Sequence, residues 1–430
     1  MRLAALALFA LLATGCERPL VDDLDRPVEV VGVDLGEVQT EPTLRIGLRV
    51  QGATALTVDG DTAAFDAAAG VFSDTLLLVR GVNRIAVRAS DASGVIGADT
   101  LVALYLPVAA EPSSAFALPS ARADAAVVAV PPGRVLVTGG VGPDGGALAS
   151  MAVLVPAGSR FTVTESPLRV PRTGHTASAL PDGGALLLGG ATTETPTRPS
   201  DFVSTAEWVP PGSLQSQPVA FPMGGLVRAG HTARVLQTAG RTVVYVYGGR
   251  VPSGSGATES GTVDVFEWLP DPARLVRLSP EGGAGAFPPS AGHVQVPLTA
   301  DGAAGASDVV LGDDVAFRFD FTVPGSTYPF DLARRDVAPL STPRTDAASA
   351  PLGGGLAVVV GGRDGSGTPL GLLDVYAAAV DRTFRVPEAV RLAVPRFGAG
   401  ATLSPDGRIL VVGGRTRSGA ASAAVEVFSF

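Results

Sequence analysis

Residues 172–190 have the sequence RTGHTASALPDGGALLLGG. The runs His175–Leu180 and 185–188 are short enough for β-strands, and Pro181-Asp182-Gly183 lies between them. Proline fixes φ for a turn and glycine accepts a positive φ, so this segment predicts a β-hairpin. The closing pair, Gly189-Gly190, allows a close approach of backbone that a side chain would prevent.

The same unit recurs along the chain. An arginine precedes a glycine pair by seventeen residues in four copies and by twenty in a fifth. The arginines are Arg122, Arg172, Arg228, Arg344 and Arg396, and the pairs are Gly139-Gly140, Gly189-Gly190, Gly248-Gly249, Gly361-Gly362 and Gly413-Gly414. A sixth, weaker copy begins at Ser290, and its pair is reduced to Gly312-Asp313. A short strand such as Val263-Asp264-Val265-Phe266 follows each pair. Six copies about fifty to sixty residues apart, without helical periodicity, predict one four-stranded sheet per repeat.

The arginine, the hairpin, the glycine pair and the acidic-then-aromatic strand together resemble the Kelch repeat family. The resemblance covers roughly residues 112–430 and implies an all-β fold, a six-bladed Kelch-type β-propeller. The last copy ends at its third strand. The segment around Phe116 and Leu118 is therefore expected to supply the missing outer strand, which would close the ring and remove an exposed strand edge.

The first residues form a processing segment. Arg2 precedes an apolar stretch of about eleven residues, which is too short to span a bilayer as a helix. Small residues precede Cys16, as in a bacterial lipobox, and this resemblance implies cleavage before Cys16 and its lipidation. Cys16 is the only cysteine of the chain, and a lipid thioether gives it a role. Glu17 after it favours the outer membrane, by resemblance to envelope lipoproteins. The alternative is an ordinary signal peptide with a chance cysteine.

A separate all-β module is predicted before the repeats. Leu44, Ile46, Leu48 and Val50 alternate with polar or small residues, which is the period of a half-buried strand. Around seven short strands in about 80 residues fit a sandwich, and residues 81–91 resemble the late hairpin of bacterial immunoglobulin-like modules. The predicted domains are a signal peptide at 1–15, a lipidated tether at 16–26, an immunoglobulin-like β-sandwich at 27–107 and the propeller at 108–430.

Composition and motifs argue against several classes of function. The net charge is −9 without a basic run, so nucleic acid is not expected as a partner. The GxGxxG match at residues 140–145 contains Pro143 and lacks the helix that a dinucleotide site requires. The sequence has no GxSxG motif. It has no cysteine besides Cys16 for the Tyr–Cys pair of galactose oxidase, and it lacks the Ser-x-Asp-x-Gly-x-Thr-Trp turns of sialidase propellers. These enzyme classes are therefore not expected. No cofactor is expected.

Three groups of repeated polar residues have a structural and a functional interpretation. His175, His231 and His293 occupy one repeat position in consecutive copies, which places them too far apart for a shared metal. The five repeat arginines either bond backbone carbonyls of their blades or form a cationic ring for an anion. The acidic residues of the third strands favour a structural role over paired-carboxylate catalysis; they are Glu207, Asp264, Asp374 and Glu426.

Two loops are longer than their counterparts and predict a binding face. The distance from the glycine pair to the aromatic residue of the third strand is eighteen and seventeen residues in the second and third copies, and the matching gap is fourteen residues in the first, fifth and sixth. The loops are Ala191–Val203 and Arg250–Thr262, and such insertions map to one face of a repeat protein. The candidate binding-face residues are Arg198, Asp201, Arg250, Glu259, Arg363 and Arg415.

These observations predict a monomeric, non-enzymatic lipoprotein of the bacterial cell envelope. Its propeller loops would engage a protein or glycan partner, and its lipid would hold it on the membrane. One alternative is a periplasmic sugar-converting enzyme, because some bacterial Kelch-like propellers are sialic acid mutarotases. That function needs arginine and glutamate side chains converging beside a polar pocket at the centre of the ring. A second alternative is a purely structural surface protein.

Overall fold

A computed structural model describes residues 28–111, 116–158, 160–221, 224–238, 240–279, 287–298, 306–322 and 331–430. The predicted signal peptide, tether and Cys16 lie outside these residues. The chain divides into two compact units. The first contains 28–34, Thr43–Leu77 and Arg84–Val102, and the second contains Leu35–Pro42, Leu78–Asn83 and Ala103–Phe430. Within the described part of the chain, no helix is long and apolar enough to cross a membrane.

Short strands pair into two sheets in the N-terminal region. A four-stranded antiparallel sheet has the order β1 (Glu29–Val31), β3 (Thr43–Arg49), β7 (Val71–Leu77), β6 (Ala64–Asp66). A five-stranded sheet has the order β2 (Val38–Gln39), β9 (Gly94–Tyr105), β8 (Gly81–Asp91), β4 (Ala55–Val58), β5 (Asp61–Thr62). Leu44, Ile46 and Leu48 of β3 are buried while their neighbours are more exposed. The predicted alternation of this strand is confirmed.

Six four-stranded antiparallel sheets make up the described repeat region. Sheet 1 contains β11 (Ala126–Val130), β12 (Arg134–Thr138), β13 (Ser150–Ala157) and β14 (Arg160–Pro167). Sheet 2 contains β15 (Thr176–Ala179), β16 (Ala185–Leu188), β17 (Ala206–Val209) and β18 (Gln217–Val219). Sheet 3 contains β19 (Thr232–Thr238), β20 (Arg241–Tyr247), β23 (Val263–Pro270) and β24 (Ala273–Arg277).

The remaining three sheets follow the same pattern. Sheet 4 contains β25 (Val294–Pro297), β26 (Ala306–Leu311), β27 (Ala316–Thr322) and β28 (Asp331–Asp336). Sheet 5 contains β29 (Ala348–Gly353), β30 (Leu356–Val360), β31 (Leu373–Ala377) and β32 (Arg382–Arg385). Sheet 6 contains β33 (Phe397–Leu403), β34 (Ile409–Arg415) and β35 (Val425–Ser429), with β10 (Ala109–Ala110) as its outer strand. A small hairpin, β21 (Arg250–Ser253) and β22 (Gly256–Glu259), and one 3-10 turn, Pro199–Asp201, lie in the two long loops.

The glycine pairs join five of the six sheets to the next. Gly189 has φ +61°, and a Cβ there would lie 2.8 Å from the Arg228 carbonyl of sheet 3. The N–H of Gly190 donates to that same carbonyl at 2.9 Å. The same bond runs from Gly140 to Arg172, from Gly249 to Ser290, from Gly362 to Arg396 and from Gly414 to Arg122. The last of these links sheet 6 to sheet 1, so the first strands of the sheets pack around a common centre.

The N-terminal end of the repeat region completes sheet 6, as the sequence predicted. Ala109 and Ala110 pair with β35, and Ala117 forms a bridge with Ala424. Leu118 donates its N–H to the Ala423 carbonyl at 2.8 Å and is 4% exposed. The outer strand of sheet 6 begins earlier in the chain than the predicted segment around Phe116: its first paired residues are Ala109 and Ala110.

Sheet 4 replaces a charged pair by an aromatic cluster. Its repeat position for arginine is Ser290, and Phe317 occupies the position of the third-strand acid. Phe317, Phe319 and Phe321 are buried with Tyr247 and Tyr245 of sheet 3. Tyr247 contacts the Phe317 and Phe319 rings edge-on, with centroids 5.7 and 5.2 Å away. Apolar burial stabilises this sheet where the other sheets have an ion pair.

Candidate functional site

A polar pocket of about 540 Å3 lies where the first strands of the six sheets begin. We name it the axial pocket. Its lining includes residues from every sheet, among them Asp124, Thr173, Gly230, Gly292, Asp346 and Phe397. The loop after β16 and the β21–β22 hairpin form its walls through Thr193, Glu194, Thr195, Arg250 and Glu259. Pockets of this size, lined by a few convergent polar groups, hold small ligands in proteins.

The floor of the axial pocket is a hoop of backbone hydrogen bonds. Two residues after each repeat arginine, or after Ser290, the backbone has a positive φ. These floor positions are Asp124, Gly174, Gly230, Gly292, Asp346 and Gly398. Five N–H groups donate to the carbonyl of the preceding sheet's floor position, at 2.7–3.2 Å. The links run from Gly174 to Asp124, Gly230 to Gly174, Asp346 to Gly292, Gly398 to Asp346 and Asp124 to Gly398.

Two of the six floor positions carry an aspartate in a conformation that favours glycine. Asp124 has φ +54° and Asp346 has φ +52°. Side chains other than glycine rarely adopt these angles, although aspartate tolerates them better than most. Local strain of this kind concentrates at functional sites. The two carboxyl groups therefore mark the floor as the chemically distinctive part of the pocket.

Asp346 is held by an arginine that also contacts an aromatic ring. Arg363 Nη2 lies 2.7 Å from Asp346 Oδ2, and the guanidinium carbon is 4.9 Å from the centroid of Phe397. Burial raises the pKa of Asp346, and the positive charge of Arg363 opposes that effect. Together the three side chains present a charged edge and an apolar face to the pocket.

Asp124 is poised between its two protonation states at neutral pH. Burial and then the like charge of Asp346 raise the pKa of Asp124 to about 7, against the opposing charge of Arg415. Its side chain keeps 30% of its surface exposed, so it remains reachable from the pocket. A carboxyl group with this pKa can both donate and accept a proton under physiological conditions.

A loop of sheet 2 reaches a side chain of sheet 6. Glu194, in the loop after β16, pairs with Arg415 at the end of β34, with 2.7 Å between Oε2 and Nη2. Arg415 also donates to the Gly419 carbonyl at 3.0 Å, and its Nε lies 4.0 Å from Asp124 Oδ2. The wall and the floor of the pocket are thus electrostatically connected.

The structure separates the candidate binding-face residues into two groups. Arg250, Glu259 and Arg363 line the axial pocket, and Arg415 contacts its wall and floor. Arg198 and Asp201 are not among the pocket-lining residues. The Asp201 carboxylate accepts the N–H groups of Thr197 and Arg198, each at 2.9 Å. It shapes its own loop in this way.

The five repeat arginines are buried within their sheets. Arg172 shows the arrangement: its Nη1 donates to the Gly189 carbonyl at 3.0 Å and its Nη2 to Glu207 at 2.7 Å. The other carboxylate partners are Glu165 for Arg122, Asp264 for Arg228, Asp374 for Arg344 and Glu426 for Arg396. Each arginine also donates to at least one backbone carbonyl. Their guanidinium groups bind the framework of the sheets.

The three histidines are buried between sheets. Their Nε2 atoms lie 2.8, 3.3 and 3.1 Å from the hydroxyls of threonines in the preceding sheets. Burial, the largest cause, lowers the pKa of His231 to about 3 and that of His293 to about 4. It also depresses the pKa of His175. Across the described residues, no group of three or more His, Cys, Asp or Glu side chains could hold a metal.

A second cavity of about 380 Å3 is lined by the first strands themselves. Most of its lining is small or apolar, but Arg234 and Asp308 form a buried pair at 3.2 Å. Gln295 donates to the other Asp308 oxygen at 2.7 Å. This network joins sheets 3 and 4, so we interpret it as part of the packing between them.

Asp124, Asp346 and Glu194 were missed by the sequence analysis. For the aspartates a signal existed: the residue before the His or Ala of each repeat is glycine in four copies and aspartate in two. A residue other than glycine at a position that needs a positive φ indicates a functional constraint, and this pattern could have identified both aspartates. Glu194 had no local signal, because its partner Arg415 lies 221 residues later.

No family model matches the chain, and no curated protein matches it. Among solved structures, the structure of YjhT is similar over 73% of this chain and 96% of its own, with a TM-score of 0.52 and 15% identity. At this identity the likeness concerns the fold. The all-β chain, its small antiparallel sheets and this similarity show a β-propeller fold.

Proposed function

We propose that this chain is a non-enzymatic binding protein whose axial pocket holds a sugar unit of a glycan. The observation that carries the proposal is the convergence of carboxylates, guanidinium groups, threonine hydroxyls and one aromatic ring on a single pocket. A sugar offers many hydroxyl groups together with an apolar ring face. Asp124, Asp346 and Arg363 supply acceptors and donors for the hydroxyls, and Phe397 supplies an apolar surface.

The architecture proposed for this function is more specific than a β-propeller. The six sheets would be the blades of a Kelch-type propeller, and the N-terminal sheets an immunoglobulin-like module. Lipidation of Cys16 would anchor the chain to the bacterial envelope, at the outer membrane. The basis for the anchor is the sequence Ala13-Thr14-Gly15-Cys16 after an apolar stretch.

The pocket walls would set the specificity of binding. Arg250 and Glu259 face each other across the β21–β22 hairpin, and Thr193, Glu194 and Thr195 line the pocket from the loop after β16. These residues lie in the two long loops, whose outer parts would contact the protein or the neighbouring sugars that carry the bound unit. Recognition would thus combine a small pocket with a wider loop surface.

Binding of purified chain to a glycan array tests the proposal, followed by calorimetry on the best ligand. We expect Asp346→Asn to weaken binding at least tenfold, because it removes a charged acceptor and frees Arg363. Asp336→Asn is the matched control, since Asp336 lies on outer strand β28 with 76% of its side chain exposed. Equal affinities of the two variants would exclude the axial pocket. Folded protein without any ligand would favour a purely structural surface protein.

A periplasmic sugar-converting enzyme, similar to the sialic acid mutarotase propellers, is the second candidate. Arginine and acidic side chains do meet beside a polar pocket, and the pKa of Asp124 near 7 suits acid–base catalysis. Exchange NMR between the anomers of free sialic acid, and of a neutral hexose, measures this activity. Acceleration by the chain that is lost in Asp124→Asn would establish the enzyme. Unchanged exchange rates would leave the binding function.

A further inference from the structure

The pair between Glu194 and Arg415 spans sheets that are not neighbours. Glu194 belongs to the loop of sheet 2 and Arg415 to β34 of sheet 6, and sheet 1 lies between them. The pair therefore carries the loop across one side of the axial pocket. Both Glu194 and Asp124, which lies beneath it on the floor of sheet 1, line that pocket.

The base and the tip of this loop are held differently. At the base, Thr192 donates its N–H to the Asp201 carbonyl at 2.8 Å, and Thr197 donates its N–H to the Asp201 carboxylate at 2.9 Å. Thr193, Glu194 and Thr195 at the tip are exposed. The bond from Glu194 to Arg415 ties this tip to sheet 6.

The two partners of the pair differ in burial. Arg415 is 10% exposed and is fixed by its bond to the Gly419 carbonyl. Its Nε makes no hydrogen bond within the described residues. Glu194 is 48% exposed, so water and salt compete for its carboxylate. When the pair breaks, the glutamate and its loop are the part that can move.

We propose that residues 192–197 form a lid over the axial pocket and that the Glu194–Arg415 ion pair is its latch. Because the glutamate of this pair is half-exposed, water and salt weaken the pair, and the latch would open and close again without a ligand. The lid controls entry into the pocket. The inference therefore stands whether or not the occupant is a sugar, and its test needs no ligand.

A thiol in the floor reports the opening of the lid. We place it at Thr345, which lines the pocket, in the full chain carrying Cys16→Ser, so that Thr345→Cys provides the only thiol. The rate of reaction with N-ethylmaleimide is measured; this reagent is neutral but reacts with the thiolate, so the control variant has to remove a negative charge from the same pocket. Glu194→Gln removes the latch. Glu259→Gln is the matched control, because Glu259 is an exposed acid of the same pocket on another loop.

The expected result is a labelling rate that rises roughly two- to fivefold in Glu194→Gln and stays unchanged in Glu259→Gln. Half-molar sodium chloride should raise the labelling rate of the parent chain, which keeps the latch, by a similar factor and leave that of Glu194→Gln unaffected. Equal rates in all chains would overturn the latch. If the thiol does not react, amide hydrogen exchange of residues 192–197 decides. Faster exchange in Glu194→Gln alone supports the lid, and equal exchange contradicts it.

Discussion

At the scale of single residues, Asp124 combines backbone strain with a carboxyl group that is reluctant to ionise. Its φ is +54°, and burial, followed by the charge of Asp346, raises its pKa from 3.8 to about 7. The folded chain therefore binds more protons than the unfolded chain between these two pH values. Stability falls as pH rises through this window, since ionisation is less favourable in the folded state.

Asp124→Asn should stabilise the chain at neutral and alkaline pH. Asparagine tolerates the same φ and cannot ionise. We expect a gain of about 1–4 kcal/mol in the free energy of unfolding at pH 8 and no gain below pH 4. Urea unfolding across this pH range measures it. If Asp124→Asn is more stable but its axial pocket binds ligand less tightly, the aspartate is retained for function at the expense of stability.

Asp364→Asn is the control for this prediction. Asp364 accepts the N–H groups of Ser366 and Thr368 in a turn, and these bonds, with that of the Ser366 hydroxyl, lower its pKa. Its replacement should therefore cost stability at neutral pH, opposite in sign to Asp124→Asn. Destabilisation by both variants at pH 8 would show that burial does not oppose the ionisation of Asp124.

The buried histidines should make the fold sensitive to acid. Their pKa values lie below 6.5 in the folded chain, about 3 for His231 and about 4 for His293. The unfolded chain therefore binds the additional protons, and stability is fully present above pH 6.5 and is lost as pH falls. Each histidine contributes a slope approaching about 1.4 kcal/mol per pH unit between the two values.

His231→Gln should remove one such contribution. Urea unfolding between pH 7 and pH 4.5 gives the slope, and it is measured in the Asp124→Asn chain because Asp124 titrates with the opposite sign. Between the two chains, the slope of the unfolding free energy against pH should differ by the equivalent of nearly one bound proton. An unchanged slope would mean that His231 takes up its proton in the folded state as well.

At the scale of elements, ring closure depends on the short segment that completes sheet 6. Leu118 packs with Leu410 and Val412 of β34, and Phe116 stacks on Phe161 at 5.3 Å. Leu118→Ala should lower the free energy of unfolding by about 2–5 kcal/mol, through lost burial and a residual cavity. Thermal unfolding followed by circular dichroism measures the loss.

Leu214→Ala provides the comparison for ring closure. Leu214 is 42% exposed, so its truncation should change stability by less than about 0.5 kcal/mol. If Leu118→Ala were as mild as this control, the closing segment would be dispensable. The structure of sheet 6 would then rest on β33, β34 and β35 alone.

The elements were largely predictable because their signals are local. Pro181-Asp182-Gly183 forms the expected turn, with Gly183 at φ +87°, and Arg172 bonds the carbonyl of Gly189 seventeen residues on. Sheet 4 was harder to predict, since both members of its charged pair are replaced. Its compensation by Phe317 and Tyr247 depends on contacts between two sheets, which no pattern within one repeat contains.

At the scale of the whole molecule, the pocket could not be predicted because the ring assembles it from distant residues. Asp124 and Asp346 are more than two hundred residues apart in sequence but belong to one hoop of backbone bonds. Both long loops predicted from the sequence contribute to the pocket lining, and three of the six candidate residues line it. Asp201 lies outside the pocket lining, and its carboxylate accepts N–H groups of its own loop.

Attachment of the whole molecule to a membrane remains a prediction from the sequence. In a bacterial host, labelling of the chain with a radioactive fatty acid should disappear in Cys16→Ser, because the substitution removes the site of lipidation. Glu17→Asp is the matched variant: it should keep the label and shift the chain toward the inner membrane. Fatty-acid labelling that persists in Cys16→Ser would contradict the anchor.

The hoop on the pocket floor limits how many carboxylates the fold can place around its centre. A Cβ at Gly292 would lie 2.5 Å from Asp346 Oδ1, and one at Gly398 would collide with Asp124 Oδ1. Each aspartate is packed against a glycine of the preceding sheet, so alternate sheets are the positions that can carry one without moving a neighbouring side chain. Sheets 1 and 5 do, and the third alternate position is Gly230, where a Cβ would meet nothing closer than 4.0 Å. Of the three alternate floor positions, two therefore carry an aspartate and one carries a glycine.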